Sequence, residues 1–413
     1  MLDIKFIREN PEKVKEGVAK KRANIDIDEL LKLDKEHRDL IFKIDSLRAE
    51  QNRLSQKAPN EEERKHLLNI KKEIESLGQD LKIEEEKLNN FLRQIPNLPL
   101  FETPEGGPDD FVVLREVGEK PAIEKPKDYI EIAQNLDLID TERATKVSGS
   151  RFGYIKNEAA LLEIALIQFI FEAVRQENFI PIIPPVLINK KSMQGMGYLD
   201  RGGEEVYHLE KDDLYLVGTS EQSIGPMHQD EIFDEKDLPK RYVSFSSCFR
   251  REAGSYGKDV RGILRSHQFD KVEMFSFTRP ADSIKEHNLF LSLEEKLMRE
   301  LGIPYRVLKI AAGDLGDPAA AKYDIEAWLP GQNQYRETHS TSNTTDFQAR
   351  RLNIKYRNSI TQKTEFVHMI NGTAFAIGRA IIAILENYQT KTGSVIVPEV
   401  LRKYLGFSEI KRD

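Results

Sequence analysis

Leu33, Leu40, Leu47 and Leu54 recur every seventh residue, with Leu30 and Ile44 on the complementary seam. A second series, Leu67, Ile70, Ile74, Leu77, Leu81, Leu88, Phe91 and Ile95, keeps alternating three-four spacing and is interrupted only at Glu84. Sustained seams of this kind pack helix against helix. Between the two runs lies Ser55 to Glu62, where Pro59 disfavours helix at the residue before it and lets the chain reverse. The spacing therefore predicts an antiparallel two-helix coiled-coil arm over about residues 28–95, each half roughly 40–50 Å long at about 1.5 Å per residue. Two helices enclose little core, so the rod must belong to a larger body. Its lysines and arginines, among them Lys43, Arg48, Arg53, Arg64 and Lys71, are nearly balanced by acids. Taken alone, the arm serves equally well as a dimerisation element, a spacer or an RNA grip.

The remainder of the 413 residues is long enough to build that body. The stretch Pro96 to Pro126 is rich in proline and glycine and reads as a linker, giving an N-terminal domain at 1–98, a linker at 99–114 and a second domain at 115–413. In the second domain strand-like and helix-like segments alternate irregularly, with glycine turns at Gly202-Gly203, Gly254, Gly257, Gly262, Gly331 and Gly372, which predicts an α+β fold. The net charge of −7 gives no global nucleic-acid signature, so any such contact must be local. Cys248 is the only cysteine, which excludes a disulfide framework and a cysteine-rich zinc site and fits a reducing cytoplasm. The most apolar run, Ala159 to Val174, carries Glu163, Gln168 and Glu172 and reads as an amphipathic helix, so no membrane association is expected. The start, Met1 to Lys5, does not resemble a signal peptide.

The chemistry concentrates between Tyr242 and Phe277. Alternation at Val243 and Phe245 marks a strand that ends in Phe249-Arg250-Arg251-Glu252; a glycine-bearing loop follows, and His267 to Phe275 reads as a second strand. Arg250 and Glu252 fall on one face, as do Phe269 and Glu273. A planar cation beside an aromatic ring suits a nucleotide, because arginine forks onto phosphate oxygens and the ring stacks on a base. A face studded with structural ion pairs satisfies the same pattern. Cys248 reads as a packed strand residue, and His267 and His368 as hydrogen-bonded residues, since no second ligand stands at metal spacing.

Phe249 to Glu252, with Arg265 four residues before Phe269, resembles motif 2 of the class II aminoacyl-tRNA synthetases. Asn371 to Arg379 resembles motif 3, read as a strand-to-helix junction where Asn371-Gly372 turns and Thr373 caps the helix. Phe179 to Pro185 resembles motif 1, the dimerisation motif. Adding Thr219-Ser220-Glu221, His267 to Glu273, Phe347 to Arg351, and Ala383 to Gln389 followed by Gly393-Ser394-Val395 and Pro398, the likeness narrows to the seryl-tRNA synthetases of the bacterial type and covers nearly the whole chain.

That resemblance implies a class II antiparallel sheet flanked by helices, a homodimer, and activation of L-serine by ATP with Mg²⁺ before transfer to the 3′ end of serine tRNA. It leaves open whether selenocysteine tRNA is also charged. It implies that Arg250 holds the α-phosphate and the serine carboxylate, that Glu252 accepts from the adenine amino group, and that Phe269 and Arg379 sandwich the base. Arg251, Thr338 and His339 fall in the ATP-binding set, and Arg265 reaches the γ-phosphate. Glu337 and Ser340 hold Mg²⁺, with Arg250, Arg379 and Glu337 as the catalytic set. Thr219, Ser220, Glu221, Arg250, Glu273, Asn371 and Thr373 surround the serine. Two positions depart from the common pattern: Thr373 replaces a frequent serine, and Thr338-His339 replaces an apolar residue and serine. Neither removes an essential charge. The competing readings are a non-catalytic paralogue acting as RNA-binding or scaffolding protein, and a ligase that loads a carrier protein. Intact Arg250, Glu252, Phe269, Glu337 and Arg379 disfavour the first; the arm disfavours the second.

Overall fold

The computed structural model describes residues 1–201, 203–253 and 261–412, so the glycines expected at turns 202, 254 and 257 lie outside it. The chain divides into two compact units, Met1–Leu98 and Pro99–Asp413.

In the first unit, α1 (Ile4–Glu9) and α2 (Pro11–Lys20) precede two long helices, α3 (Ile27–Leu54) and α4 (Glu61–Gln94). The ends of the long pair are written into side chains. Asp26 accepts from the Asp28 and Glu29 amides, and Asn60 and Glu63 form a reciprocal capping box that starts α4 directly after the Pro59 reversal. Lys43 pairs with Glu73 at 3.0 Å and His66 with Glu50 at 3.0 Å, partners converging toward the turn as antiparallel helices require. Ile44 and Ile70 are buried in the seam, whereas Phe42, Leu68 and Ile83 face solvent. At the base, Ile7, Val14 and Val18 pack with Leu30, Leu88, Leu92 and Ile95, so the short helices and the roots of the arm share one core.

The second unit is organised around an eight-stranded sheet. In chain order its strands are β1 (Val112–Val117), β2 (Ile180–Ile182), β3 (Lys240–Phe249), β4 (Gln268–Thr278), β5 (Tyr305–Lys309), β6 (Ala321–Leu329), β7 (Gln334–Asn343) and β8 (His368–Ala376). Their spatial order is β1-β5-β6-β7-β8-β4-β3-β2, antiparallel throughout except where β2 joins β3 in parallel. β1 begins inside the stretch read as linker: Val112 to Val117 has β-branched residues to offer, and β5 presents an open edge to pair with. One face of the sheet is covered by α5 (Asn157–Arg175), α6 (Ser283–Leu301) and α7 (Ile377–Asn387), whose apolar stripes meet Val272, Met274, Ile325 and Phe375. The alternate positions, Phe269, Lys271 and Glu273, point to the opposite face.

Two expectations fail around residue 372. Asn371 and Gly372 form no turn and Thr373 caps no helix; all three sit within β8, and α7 begins at Ile377 after Ala376 with no side-chain cap. The glycine answers to packing. A Cβ on Gly372 would stand 2.8 Å from Glu294 Oε1, 2.9 Å from Phe290 and 3.1 Å from Thr341, so α6 approaches the strand as only glycine allows. Gly331, by contrast, does lie in the turn between β6 and β7.

Candidate active site

The sheet is not fully zipped. β7 and β8 pair over three positions, Thr341↔Gly372, Ser342↔Asn371 and Asn343↔Ile370, and no further. Beyond Thr341 the strands part, and a hollow of about 610 Å³ opens between and above them. Arg250, Glu252, Arg265, Phe269, Lys271, Glu337, Thr338, Thr373 and Arg379 line it. Segments up to about 130 residues apart in sequence thus converge on one cavity. A second, larger hollow adjoins it, lined by Thr219, Glu221 and Asn371, with Arg250, Glu252 and Arg265 forming part of both walls.

Arg250 leaves the end of β3 exposed and is held from two sides. Its Nε donates to the Gly218 carbonyl at 3.2 Å, and its guanidinium lies 5.4 Å from the Phe269 ring centroid. Glu252 shares its cavity, but not through strand alternation: β3 ends at Phe249 and Glu252 has φ +48°, a left-handed turn that redirects the side chain. Arg151 donates to its carbonyl at 2.7 Å, and Arg265 faces its carboxylate at 3.8 Å. Arg379, from the first turn of α7, donates to the Glu337 carbonyl at 2.9 Å and stands 3.3 Å from its carboxylate, bridging the parted strands. Burial pushes the Glu337 carboxyl up, but Arg379, Lys322 and Arg250 together outweigh it and hold it below the ordinary value. Its side chain is 47% exposed, so this site is a rim and not an interior.

Acidic groups crowd the floor. Glu273, almost fully buried, pairs with Lys271 at 2.5 Å and accepts from the Thr373 hydroxyl at 3.4 Å. Glu221 accepts from Gln348 at 3.0 Å and from Tyr198 at 3.1 Å; burial and the nearby Glu273 raise its pKa. Beneath the sheet, neither carboxyl oxygen of Glu294 has a hydrogen-bond partner among the described residues, and burial with repulsion from Glu273 drives its pKa far upward.

Not every expected residue reaches the cavity. Ser220 is fully buried and hydrogen-bonds Ser244 at 2.7 Å. Arg251 turns outward, its guanidinium 5.6 Å from the Tyr207 ring. His339 is fully buried behind the sheet, 4.5 Å from the Phe375 ring, and burial holds its pKa down to about 3. It therefore lines neither hollow, contrary to the expected ATP contact. The reason is a bulge: Glu326 pairs with Glu337 and Ile325 with His339, leaving Thr338 as an extra residue that flips the alternation. Ser340 lines neither hollow itself, but it alternates with Ser342, which lines the second, and so shares that face of the sheet, next to the Asp324 carboxyl. Lys271, Tyr198 and Gln348 were missed. Lys271 was findable, being two residues from both Phe269 and Glu273 on one strand face. Tyr198 carries no local signal, and Gln348, although inside the quoted stretch Phe347 to Arg351, has none that ties it to Glu221; only tertiary packing brings the two there.

Two family profiles match. Residues 1–99 match the seryl-tRNA synthetase N-terminal domain, and residues 205–388 the tRNA synthetase class II core domain for G, H, P, S and T. A serine–tRNA ligase of Dictyoglomus turgidum is 45% identical over all of this chain and 99% of its own length. The chain belongs to the seryl-tRNA synthetase family. A serine–tRNA ligase of Thermobifida fusca is 46% identical over 98% of each chain. Among solved structures, seryl-tRNA synthetase of Pyrococcus horikoshii complexed with ATP superposes with TM-score 0.94 at 41% identity over the whole of both chains. Cytoplasmic serine–tRNA ligase of Naegleria fowleri in complex with AMP gives 0.89 at 35%, covering all of this chain and 99% of that one. These full-length ligase relatives give no support to a non-catalytic paralogue, and the N-terminal seryl-tRNA synthetase match disfavours a carrier-protein ligase.

The buried Glu294 makes a stability prediction. Its folded pKa lies above the unfolded one, so above the ordinary glutamate range the unfolded chain releases a proton that the native state keeps, and stability falls as pH rises, by up to about 1.4 kcal/mol per pH unit for one proton. Glu294→Gln removes that slope. Thermal melts of both proteins at about pH 5 and about pH 8 should show the variant gaining on the wild type at the higher pH; equal differences at both would contradict the assignment.

Proposed function

We propose that the two adjoining hollows activate serine with ATP and then pass it to tRNA, the reaction for which the family is named. The observation that carries the reading is the position of Arg250 in the wall shared by both cavities. A carboxylate in one and an α-phosphate in the other would meet at its guanidinium. Activation forms a bond between a serine carboxylate oxygen and the α-phosphorus and breaks the bond to the leaving pyrophosphate. The nucleophile is already an anion, so no protein base is required. What the reaction needs is alignment and cationic charge to offset repulsion between the two anions. Arg250 supplies both, and Arg265 would take the γ-phosphate end. Phe269 and Arg379 offer an aromatic face and a guanidinium for the base, with Glu252 as acceptor for its amino group.

Serine fits the acid-floored hollow. Its ammonium would sit against Glu221 and Glu273, with Thr219 nearby, while Asn371 and Thr373 stand within reach of the hydroxyl. Buried polar partners left unpaired discriminate strongly against amino acids lacking that hydroxyl. Mg²⁺ would be held by Glu337 and Ser340. These are hard oxygen donors, and the neighbouring Asp324 Oδ1 is buried without a hydrogen-bond partner, its carboxyl raised to about 7 by burial, opposed by Lys322 and reinforced by Glu337. Among the described residues no cluster of three or more His, Cys, Asp or Glu could hold a metal by itself. That fits an ion which keeps waters and takes phosphate oxygens. The bound ion would neutralise phosphate charge.

The N-terminal arm would grip serine tRNA. Solvent-facing lysines and arginines along α3 and α4 support phosphate contacts despite the balanced total charge. The exposed apolar residues Leu161, Ile164, Ile180 and Ile183, the last 82% accessible, support a homodimer built on the motif 1 segment. Among the described residues no helix is long and apolar enough to cross a membrane. We place the activity in the cytoplasm, with tRNA.

Three outcomes are expected. Arg250→Ala should abolish serine-dependent ATP–pyrophosphate exchange, and near-normal exchange would refute its role. Replacing residues 44–76 of the arm by a short glycine turn spares the core at its base; serine activation should persist while aminoacylation collapses. Efficient charging would require another function for the arm. Ile183→Asp should convert the dimer to monomer in sedimentation; an unchanged mass would move the interface elsewhere.

A further inference from the structure

His339 is buried where β7 and β8 part, and it touches an irregularity that shapes the rim of the first hollow. On a regular strand Glu337 and Ser340, three positions apart, would point to opposite faces. The extra residue Thr338 cancels that difference: Glu337 and Thr338 both line the hollow, His339 turns into the core, and Ser340 falls on the face from which Ser342 lines the second hollow. The bulge is therefore what allows Glu337 and Ser340 to act together.

Hydrogen-bond accounting identifies what holds it. Thr338 Oγ1 lies 3.2 Å from the Ile325 carbonyl, which can only accept, and 2.8 Å from His339 Nδ1. The hydroxyl has one proton, which it donates either to the Ile325 carbonyl or to His339 Nδ1. With Nδ1 protonated the ring donates to Oγ1; with Nε2 protonated, toward the Ala374 backbone, the hydroxyl donates to Nδ1; in both tautomers ring and hydroxyl are tied at 2.8 Å. The relay runs from the imidazole through the hydroxyl to the backbone of β6, and the ring is fixed from behind by Phe375. Phe375 sits beside a second register shift, between β4 and β8, where Val272 pairs with Phe375 and Glu273 with Thr373. Two bulges thus meet at one pair of rings, tilted 57° to each other.

We propose that His339 is a positioning residue for the nucleotide and metal site: it locks the Thr338 bulge and thereby holds Glu337 and Ser340 on one face of the sheet. The inference rests on the roles given above to Glu337 and Ser340. It also replaces the direct ATP contact expected of His339 with action through the backbone.

The test pairs two readouts on the full-length protein: calorimetric binding of ATP with and without Mg²⁺, and serine-dependent pyrophosphate exchange. His339→Phe keeps an aromatic ring but removes the nitrogen that meets the Thr338 hydroxyl. It should weaken Mg²⁺-dependent ATP binding roughly tenfold, the lower end of what supporting partners of metal ligands carry. Serine KM should change less than about twofold, as should ATP binding without Mg²⁺. Thr338→Val breaks the same relay and should match it, and the double variant should add little to either. His339→Asn restores a hydrogen-bonding group near the Nδ1 position and should recover most of the binding. The inference is overturned if His339→Phe binds Mg²⁺·ATP as the wild type does, if serine KM rises in parallel, or if His339→Asn is as defective as His339→Phe at equal melting temperature. Should His339→Phe fail to fold, the Thr338→Val and His339→Asn pair decides alone. A wild type that binds Mg²⁺·ATP but shows no serine-dependent exchange would sink the proposed function, whereas an active wild type with unaffected variants sinks only the role of His339.

Discussion

A sheet cannot pair every strand edge and also open a cavity between its strands. In this chain the conflict is resolved by parting β7 from β8 after three residue pairs. Each freed strand must then be held by something other than its neighbour. Arg379 bridges the gap from α7 to Glu337, and the His339–Phe375 contact fills it from behind. Gly372, at the last paired position, lets α6 press close enough to brace the junction. The site is thus a controlled defect in the ladder, and the residues around it are those that make the defect tolerable.

The electrostatics follow from the same opening. Arg250 and Arg265 are exposed at the rim and Arg379 partly so, and all three keep their charge in contact with water. Below the rim, carboxyls are buried faster than cations can match them. Lys271 satisfies Glu273, hydrogen bonds from Gln348 and Tyr198 satisfy Glu221, and among the described residues Glu294 has no hydrogen bond to either oxygen. Burial and mutual repulsion raise the pKa of Glu221 and Glu294, so the floor keeps acidic oxygens without accumulating the full negative charge. Such a gradient, cations above and acids below, orients any molecule carrying a carboxylate at one end and an ammonium at the other.

The arm obeys a different economy. It has a periodic seam, capped ends and cross-helix ion pairs, but little enclosed volume, so its root depends on the short helices α1 and α2 for a core. Exposed Phe42, Leu68 and Ile83 show that the seam does not cover every apolar side chain.

The sequence by itself determined the arm, its reversal at Pro59, the α+β class of the second unit and most of the site. Helical seams and strand alternation are local periodicities, and the quoted motifs are contiguous in the chain. It misjudged features where periodicity is deliberately broken. Asn371-Gly372 reads locally as a turn, yet its glycine is demanded by Phe290 and Glu294 from a helix some eighty residues earlier. Thr338 and His339 look like neighbours in one binding set until a bulge sends one to the cavity and the other to the core. Glu252 shares a cavity with Arg250 through a left-handed turn that alternation does not foresee. Tertiary structure decides these cases because a strand's facing depends on register with its partners, and register is a property of pairs of segments that no single segment encodes.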